Sequence, residues 1–322
     1  MKNQSKVFGP VPSRRLGKSI GINNIPPKVC SFACVYCQVG RTFEMTSERS
    51  EFYSPEEIIA EVGEKIKKSH DAGEPIDYLT IVPDGEPTLD VNLGKLINEL
   101  KRFGIPVAVI TNATLLSDAT VREELSCADY VSMKLDAAGQ QTLKKVNRPV
   151  KDIRFDRMME GMRKFAKVYR GKLVTESMFV KGLNDSADSV KEIAGFLKGL
   201  NPAVAYIATP TRPTAVAGLQ PADEQTLTTA FQVFRDHSLH AEFLIGYEGD
   251  AFASSGDARK DMLSITAVHP MKESAVRKLL EKTGDNWSLV EDLIREGKIK
   301  RTEYSGGIFY SRVLKRVKLN PH

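Results

Sequence analysis

Residues 30–37 read Cys-Ser-Phe-Ala-Cys-Val-Tyr-Cys and contain three of the four cysteines in this chain of 322 residues. The spacing of Cys30, Cys34 and Cys37 is C-x3-C-x2-C, which can bring three thiolates round one face of a cubic iron–sulfur cluster. A closed cluster site usually takes four cysteines, so a set of three leaves one iron open for chemistry. Two other interpretations are a structural zinc site and three unrelated buried thiols. Zinc usually takes four ligands in closely spaced pairs, however, and the sequence has no second pair.

The rest of the first 250 residues alternates between strand-like and helix-like segments, which is typical of parallel βαβ units. Ser54-Pro-Glu-Glu57 predicts the start of a helix with a capping box, and that helix extends to about Lys68. Repeated units of this size predict an α/β fold with a full or partial TIM-type (βα) barrel, in which site residues lie on loops after the strands. The predicted strands cover Lys18 to Asn23, Tyr78 to Val82, Val107 to Thr111, Tyr130 to Leu135, Leu173 to Val180, Val204 to Ala208 and Glu242 to Ile245.

The pattern changes at about residue 251. We predict a boundary there between a barrel domain, residues 1–250, and a small basic domain, residues 251–322, with a linker over 251–257. Three short helical segments follow, and Gly297 is well placed to end the last of them in a left-handed conformation. Residues 298–313 then read as a β-hairpin that turns at Ser305-Gly-Gly307. Three helices and a hairpin resemble a winged helix-turn-helix.

Composition places the chain among ordinary globular proteins. With 41% hydrophobic and 27% charged residues, it is long enough for one large α/β domain and a small one. No apolar run approaches the roughly 20 residues that span a bilayer, and the first residues lack the apolar core of a signal peptide. Four cysteines, three of them clustered, do not indicate a disulfide framework. We therefore expect a cytoplasmic protein with no membrane partner.

Polar residues follow several predicted strands. The stretch Val82-Pro-Asp-Gly-Glu-Pro-Thr-Leu89 contains the carboxylate of Glu86 beside Gly85, and glycine lets another group approach the backbone closely. Further polar residues at the ends of the next two strands are Thr111, Asn112, Ser132, Lys134 and Asp136. The last three alternate along one strand and therefore point to one side of it. A buried Lys or Asp is costly unless it is paired or faces a ligand, so a ligand-binding role and a plain ion pair both stay open.

Tyr36 stands immediately before the last cysteine, and the resulting pattern C-x3-C-x-aromatic-C resembles the signature of the radical S-adenosylmethionine (SAM) superfamily. The resemblance implies a [4Fe–4S] cluster held by the catalytic cysteines Cys30, Cys34 and Cys37, with SAM bound at the open iron. It further implies that an electron from the reduced cluster splits SAM to a 5′-deoxyadenosyl radical, which takes a hydrogen atom from the substrate. A ferredoxin or flavodoxin is the implied electron donor.

The resemblance also implies positions for SAM and substrate. The family's second motif is Gly-Gly-Glu, often followed by Pro-Thr-Leu, and Asp84 stands here in place of the first glycine, which adds a charge or shifts the turn. Gly85 and Glu86 match the residues that hold the SAM amino group. The remaining cofactor-binding candidates are Tyr36, Thr111, Asn112, Ser132, Lys134 and Asn184, with Asp136, Thr209 and Arg212 beside them as further candidates.

From Phe8 to Ile245 the chain looks closest to radical SAM proteins grouped with the wyosine-forming tRNA enzymes, whose second set of cluster cysteines it lacks. Their particular reaction is therefore not expected here. The resemblance predicts hydrogen abstraction from a macromolecular substrate, with RNA (tRNA modification) slightly favoured over a peptide or protein. Activation of a glycyl-radical partner stays open. A non-catalytic iron–sulfur regulator that binds nucleic acid is a further alternative, although Gly-Glu-Pro-Thr-Leu has no use in such a regulator.

Basic charge is uneven along the chain. Residues 251–322 hold 14 Lys and Arg and 9 Asp and Glu, whereas the first 250 residues balance to zero. Tyr304, Phe309 and Tyr310 lie among these basic residues, and such a mixture is typical of nucleic-acid surfaces. The same residues also fit a solvated face over a small core, a wing that binds a peptide, or a cover over the barrel mouth. RNA or a peptide substrate is the expected partner of this domain.

Overall fold

The computed structural model describes residues 5–13, 15–245, 256–268 and 270–313. Within them the chain forms an α/β fold with one eight-stranded sheet, one three-stranded sheet and a pair of two-residue strands. The strands are β1 (Val7–Ser13), β2 (Gly17–Ile22), β3 (Val29–Cys30), β4 (Glu44–Met45), β5 (Tyr78–Ile81), β6 (Val107–Thr111), β7 (Tyr130–Lys134), β8 (Lys172–Met178), β9 (Val204–Ala208), β10 (Ala241–Leu244), β11 (Met271–Lys272), β12 (Ile299–Tyr304) and β13 (Gly307–Arg312). The helices are α1 (Pro55–Asp71), α2 (Leu93–Lys101), α3 (Ala119–Leu125), α4 (Gln140–Val146), α5 (Phe155–Val168), α6 (Ala187–Leu200), α7 (Glu224–Asp236), α8 (Ala258–Val268), α9 (Glu273–Thr283) and α10 (Ser288–Arg295). In the described part of the chain, no helix is both long and apolar enough to cross a bilayer.

Seven of the eight strands in the large sheet are parallel. Their order is β1-β2-β5-β6-β7-β8-β9-β10, in which β1 is antiparallel to β2 and every later pair of neighbours is parallel. The predicted α/β fold with parallel strands is thereby confirmed. Among the described residues β1 and β10 form the two edges, so the sheet is open.

Two local predictions at the start of the chain were incomplete or wrong. The sequence analysis missed β1, because Pro10 and Pro12 are typical of loops; an edge strand tolerates them, since one of its sides has no hydrogen-bonding neighbour. The prediction of a capping box at the start of α1 is wrong. Ser54 makes no side-chain cap bond, and its hydroxyl instead donates to the Glu56 carboxylate over 2.6 Å.

The two faces of the large sheet pack into different cores. On one face, buried residues such as Ile81, Val109 and Met133 join the core that includes the helices. On the other face a second cluster contains residues of β6 to β10 together with Leu16, from the β1–β2 connection. Arg15 of the same connection reaches Ser132 and Glu176, on β7 and β8. The β1–β2 connection therefore lies across this inner face of the sheet.

Residues 256–268 and 270–313 form a C-terminal unit with its own core, which includes Met262, Val276 and Tyr310. Its helices α8, α9 and α10 and its hairpin of β12 and β13 confirm the predicted elements. Ser305 and Gly306 both have positive φ, as a two-residue type I′ hairpin turn requires, and Gly297 has φ 65°, as predicted. Strand β11 completes a sheet of order β11-β13-β12. The winged-helix assignment stays a prediction; the predicted boundary at 250/251 and residues 251–255 of the predicted linker lie outside the described residues.

The C-terminal unit contacts the rest of the protein at several places, among them an ion pair of 3.5 Å between Lys282 and Glu74. Its core includes a contact with Val11 of β1, at one edge of the large sheet. The Tyr304 hydroxyl, at the end of β12, donates to the Pro210 carbonyl after β9 over 3.2 Å. Since β9 neighbours the other edge strand, β10, the unit connects the two sides of the open sheet.

Candidate functional site

A cavity of about 280 Å³ lies at the C-terminal ends of the parallel strands. Its walls come from the cysteine stretch, the loops after β5 and β9, and residues at the ends of β6, β7 and β8. Nine of the eleven predicted site residues line it, namely Cys30, Cys34, Tyr36, Cys37, Gly85, Glu86, Thr111, Asn112 and Lys134. Ser132 and Asn184 are not among the lining residues, whereas Thr209 and Arg212 are. Strand ends therefore bring together residues that are far apart in the sequence.

The three cysteines are partly buried in the cavity wall. Cys30 ends β3, and the pairing of β3 with β4 holds the start of the cysteine stretch. The Asn112 side chain donates to the Cys30 sulfur over 3.6 Å, and the Asn147 side chain donates to the Cys34 sulfur over 3.4 Å. Hydrogen bonds to sulfur help to set the reduction potential of an iron–sulfur cluster. Asn147 is a residue of the site that the sequence analysis missed.

The cysteine arrangement fits a cluster better than a single metal ion. Among the described residues, no group of three or more His, Cys, Asp or Glu side chains could hold one ion. A cubane cluster spreads its ligands, because each of three irons takes one thiolate. Burial raises the pKa of Cys30 well above its usual range and that of Cys34 to about 12, so both thiols are protonated without metal. Cys127 does not line the cavity, and its sulfur donates to the Glu123 carbonyl.

Gly85 and Glu86 hold the loop after β5 against the cysteine stretch. A Cβ atom on Gly85 would lie 1.9 Å from the Val29 carbonyl oxygen, so close packing of two backbones requires the glycine. The Glu86 carboxylate accepts four hydrogen bonds, from Thr88 N (3.1 Å), Thr88 Oγ1 (2.6 Å), Thr111 Oγ1 (2.6 Å) and Asn112 N (2.7 Å). Burial raises the pKa of Glu86, and these hydrogen bonds oppose the rise. Glu86 therefore fixes the position of Thr111 and Asn112 beside the cavity.

Asp84 has a cationic neighbour that the sequence analysis did not identify. The Lys28 backbone N–H donates to the Asp84 carbonyl over 2.7 Å, and its ammonium donates to the Gly40 carbonyl over 3.1 Å. Burial raises the pKa of Asp84 to about 7, while Lys28 lowers it. Burial also lowers the pKa of Lys28. Burial thus moves the pKa of the carboxyl group that replaces the family's first glycine toward neutral pH.

Three charged side chains, Arg15, Lys134 and Glu176, lie together on the inner face of the sheet. Glu176 of β8 accepts hydrogen bonds from both Lys134 of β7 and Arg15 of the β1–β2 connection. Arg15 also donates to the Ser132 hydroxyl over 3.1 Å. Burial lowers the pKa of Lys134, but Glu176 and Asp136 outweigh it and the net shift is upward. The ion pair that the sequence left open for Lys134 is therefore present, and Lys134 and Glu176 also line the cavity.

Tyr36 connects this group to the cysteine stretch. Its hydroxyl donates to the Asp136 carboxylate, and the Lys134 ammonium lies 5.2 Å from the centre of its ring. Asp136 also accepts from the Asn147 side chain over 2.6 Å and from Met178 N over 2.8 Å. Asp136 therefore holds Tyr36 and Asn147, and Asn147 in turn contacts Cys34.

Asn184 anchors the loop that follows β8. Its amide oxygen accepts from Val180 N, and its amide nitrogen donates to the carbonyls of Asp136 and Met178, each over 2.8 Å. Its side chain is fully buried. These contacts place Asn184 behind the cavity wall and support the end of β7.

The sequence analysis did not identify Arg15, Lys28, Asn147 or Glu176 as site residues. Glu176 had a usable signal, since a carboxylate within Leu-Val-Thr-Glu-Ser-Met stands among residues that are typical of a buried strand. Arg15 lies in a segment that contains Pro10, Pro12 and Gly17 and is typical of a loop. Lys28 and Asn147 lie in loops whose path is not predictable from local patterns.

Fold and site together define a class of protein that holds an iron–sulfur cluster through three cysteines at the C-terminal ends of a parallel sheet. The profile of the Radical SAM superfamily matches residues 24–197, and the chain belongs to this superfamily. Its cofactors are accordingly a [4Fe–4S] cluster and SAM, and it is an enzyme of the superfamily. The match covers the cysteines, the loop after β5 and strands β5 to β8.

Relatives with similar sequences carry the name UPF0026. The chain is 43% identical over 310 residues to a UPF0026 protein of Methanocaldococcus jannaschii, and the alignment covers 96% of each chain. It is 35% identical over 230 residues to a UPF0026 protein of Helicobacter pylori strain J99, covering 70% of this chain and 73% of that one. The first alignment is long enough to include most of the C-terminal unit.

Solved structures with the same fold have low sequence identity. A radical SAM methyltransferase from Sphaerobacter thermophilus has a TM-score of 0.57 and 15% identity, covering 70% of this chain and 66% of its own. TYW1 with a lysine-pyruvate adduct bound has a TM-score of 0.53 and 16% identity, covering 68% and 73%. SuiB of Streptococcus suis bound to its precursor peptide SuiA has a TM-score of 0.52 and 14% identity, covering 70% and 49%. These likenesses establish the fold.

Proposed function

We propose that this protein cleaves SAM reductively and abstracts hydrogen from a macromolecular substrate that reaches the cavity. The observation that carries the proposal is the convergence of Cys30, Cys34 and Cys37 with the loop after β5 in one cavity. When bound, the cluster and SAM supply a 5′-deoxyadenosyl radical, the usual hydrogen-abstracting species of the superfamily. The chain's own residues then have to hold SAM, hold the substrate and exclude water.

The proposed roles follow from position in the cavity. Cys30, Cys34 and Cys37 hold the cluster. Gly85 presents backbone to SAM, Glu86 holds the binding surface together, and Thr111 and Asn112 present polar groups at the end of β6. Lys134 and Glu176, deeper on the inner face, are placed to contact SAM or the substrate, with Ser132 and Tyr36 supporting them. In this proposal the sheet acts as a partial barrel whose open side admits the substrate.

RNA is the first substrate class to test, as the sequence predicts. Within the described residues, however, the C-terminal unit pairs much of its basic charge with acids, as in Arg259–Glu296, Arg277–Glu273 and Arg301–Glu303. Such pairs leave less charge for phosphates than the sequence count implied. RNA binding by this unit is therefore a weaker expectation than RNA as the substrate of the cavity.

A peptide is the second candidate, and one observation favours it. Strand β12 forms an edge of the small sheet, and its end contacts Pro210, which lines the cavity. An exposed edge can take up an extended peptide as an added strand. A peptide held along β12 would run toward the cavity mouth. A glycyl-radical partner would present its glycine segment in the same way.

The deciding experiment is anaerobic. The protein is reconstituted with iron and sulfide, SAM and dithionite are added, and 5′-deoxyadenosine is quantified beside a Cys34→Ala control. We expect product from the parent protein and none from the variant. A parent that binds about four irons per chain, the content of one cubane, yet makes no product with or without RNA and peptide substrates would overturn the proposal. Specific nucleic-acid binding in that case would support the regulator.

A further inference from the structure

A basic surface lies between α4 and α5. Residues 144–157 hold six Lys and Arg and two Asp, and we call their exposed part the basic face. Its basic residues are Lys144, Lys145, Arg148, Lys151, Arg154 and Arg157. Four of them line a surface depression of about 700 Å³. The segment therefore has a local excess of four positive charges, although the first 250 residues as a whole are neutral.

The charges of the basic face are largely uncompensated. Arg154 pairs with Asp156 at 2.9 Å. Across the described ranges of the chain, the side chains of Lys144, Lys145, Arg148, Lys151 and Arg157 take part in no hydrogen bond or ion pair. Clustered cations at exposed positions attract an acidic partner.

The backbone of the basic face is bonded directly to the cysteine stretch. Val35 N donates to the Val146 carbonyl over 2.9 Å, Ala33 N donates to the Asn147 carbonyl over 3.0 Å, and Val150 N donates to the Ser31 carbonyl over 2.9 Å. The Asn147 side chain donates to the Cys34 sulfur. Asn147, which contacts the proposed cluster ligand Cys34, is thus the immediate neighbour of Arg148. Arg148 lines the surface depression.

The basic face and the cavity are separate openings. None of the residues that line the depression also lines the cavity. Substrate and SAM need the cavity, so a reductant that approached from that side would compete with them. The basic face lies on the segment that is hydrogen-bonded to the cysteine stretch, so a reductant bound there would approach Cys34 without entering the cavity.

We propose that the basic face docks a small acidic electron-carrier protein of the ferredoxin or flavodoxin class. The reduced carrier loses one electron and the oxidised cluster gains it, with no bond made or broken and no proton required. Unpaired cations would steer the acidic carrier to this face, because surface charge mainly speeds encounter. This inference rests on the proposed function in one respect, because both require the cluster. RNA is the competing occupant, and it becomes an outcome of the test.

The test uses reconstituted full-length protein and a reduced flavodoxin as the probe. Lys144→Glu combined with Lys151→Glu reverses two charges of the depression at exposed positions. Lys67→Glu combined with Lys68→Glu makes the same change in charge on α1, also at exposed positions, and is the matched control. Cluster reduction is followed without SAM by stopped-flow absorbance and by electron paramagnetic resonance. The readout is therefore independent of SAM cleavage.

We expect the first variant to accept electrons from flavodoxin about tenfold more slowly than the parent at low ionic strength. The difference should shrink at high salt, since screening weakens surface charge effects. Dithionite should reduce parent, variant and control equally, which shows that each carries an intact cluster. Lys145→Glu with Arg157→Glu is a second variant, in case the first loads its cluster poorly.

Equal rates of reduction by flavodoxin in parent and variants would overturn the inference. If the variants then also lose binding to a tRNA probe, the basic face serves RNA. The proposed function fails separately: the parent would make no 5′-deoxyadenosine with dithionite, although flavodoxin still reduced the cluster in a charge-dependent way. The outcomes therefore distinguish a failure of the proposed docking surface from a failure of the proposed SAM cleavage.

Discussion

The Glu86 carboxylate is buried, and only 1% of the residue is exposed. Four protein donors already satisfy it, so its first effect is to join the loop after β5 to the end of β6. Glu86 also lines the cavity. In this structure a residue of the family motif thus positions Thr111 and Asn112 beside the cavity.

Replacing Glu86 with Gln should destabilise the protein before SAM is considered. The amide nitrogen of Gln donates where the carboxylate accepted, so at least one of the N–H or O–H groups of Thr88, Thr111 and Asn112 loses its partner. We expect the apoprotein to lose about 1–3 kcal/mol of unfolding free energy in urea denaturation. Glu51→Gln, at an exposed position, is the control. A Glu86→Gln protein of unchanged stability that binds SAM poorly would assign the carboxylate to the ligand instead.

Asp84 predicts a pH dependence of stability. Burial raises its pKa to about 7 from an ordinary value of 3.8. The folded state therefore holds the proton more tightly than the unfolded state does, and the associated stability is present below pH 3.8 and lost as pH rises through about 7. Relative to Asp84→Asn, which cannot titrate, the parent apoprotein should lose at most about 4 kcal/mol between pH 4 and pH 7. Parallel stability curves for the two proteins would contradict this.

Single residues were predictable where the information is local in sequence. The cysteine spacing and the Gly85-Glu86 pair are local, and both proved to line one cavity. The contact between Arg15 and Glu176 joins residues 161 positions apart and exists only because the β1–β2 connection crosses the inner face of the sheet. No pattern along the chain encodes that crossing.

Among the elements, the β1–β2 connection contributes side chains to the inner face of the sheet beside the site. It places Leu16 in the inner core and Arg15 against Glu176. Strands β5 to β9 and the C-terminal hairpin were predictable, because alternation of apolar residues and turn residues such as Ser305-Gly306 act over a few positions. Strand β1 was not predictable, because its prolines are tolerated only at an edge that the sheet order defines.

Replacing Arg15 with Met should disturb the inner face. Met keeps most of the apolar length but leaves Glu176 with Lys134 as its remaining cation among the partners described above. Removing one partner of a buried ion pair typically costs about 3–5 kcal/mol, and Lys134 should hold the loss near the lower value. Thermal or urea unfolding measures it, and Arg15→Lys, which keeps the charge, should lose less. Equal losses in the two variants would show that packing, and not charge, is the role of Arg15.

At the scale of the whole molecule, charge is distributed differently from what the sequence count indicated. The count placed the entire excess in residues 251–322. In the described part of that region Arg259, Arg277, Lys282, Arg295 and Arg301 each have an acidic partner. The basic face between α4 and α5 belongs to a segment that is neutral on average, and its cations are the less compensated ones. Net charge along the chain therefore did not predict where the uncompensated cations lie.

The C-terminal unit connects both sides of the open sheet, and Tyr304 makes the contact nearest the cavity. Replacing Tyr304 with Phe removes its hydrogen bond to Pro210, worth about 1 kcal/mol, while leaving the ring in place. Amide hydrogen exchange in residues 299–312 and in the loop around Pro210 should then speed up about fivefold, since 1.4 kcal/mol corresponds to tenfold. Tyr310→Phe removes a hydroxyl that contacts Glu273 inside the same unit, so it should leave exchange in the loop around Pro210 unchanged. If Tyr304→Phe also leaves that loop unchanged, the hydrogen bond to Pro210 does not help to hold the unit, and its contacts with β1 and Glu74 hold it instead.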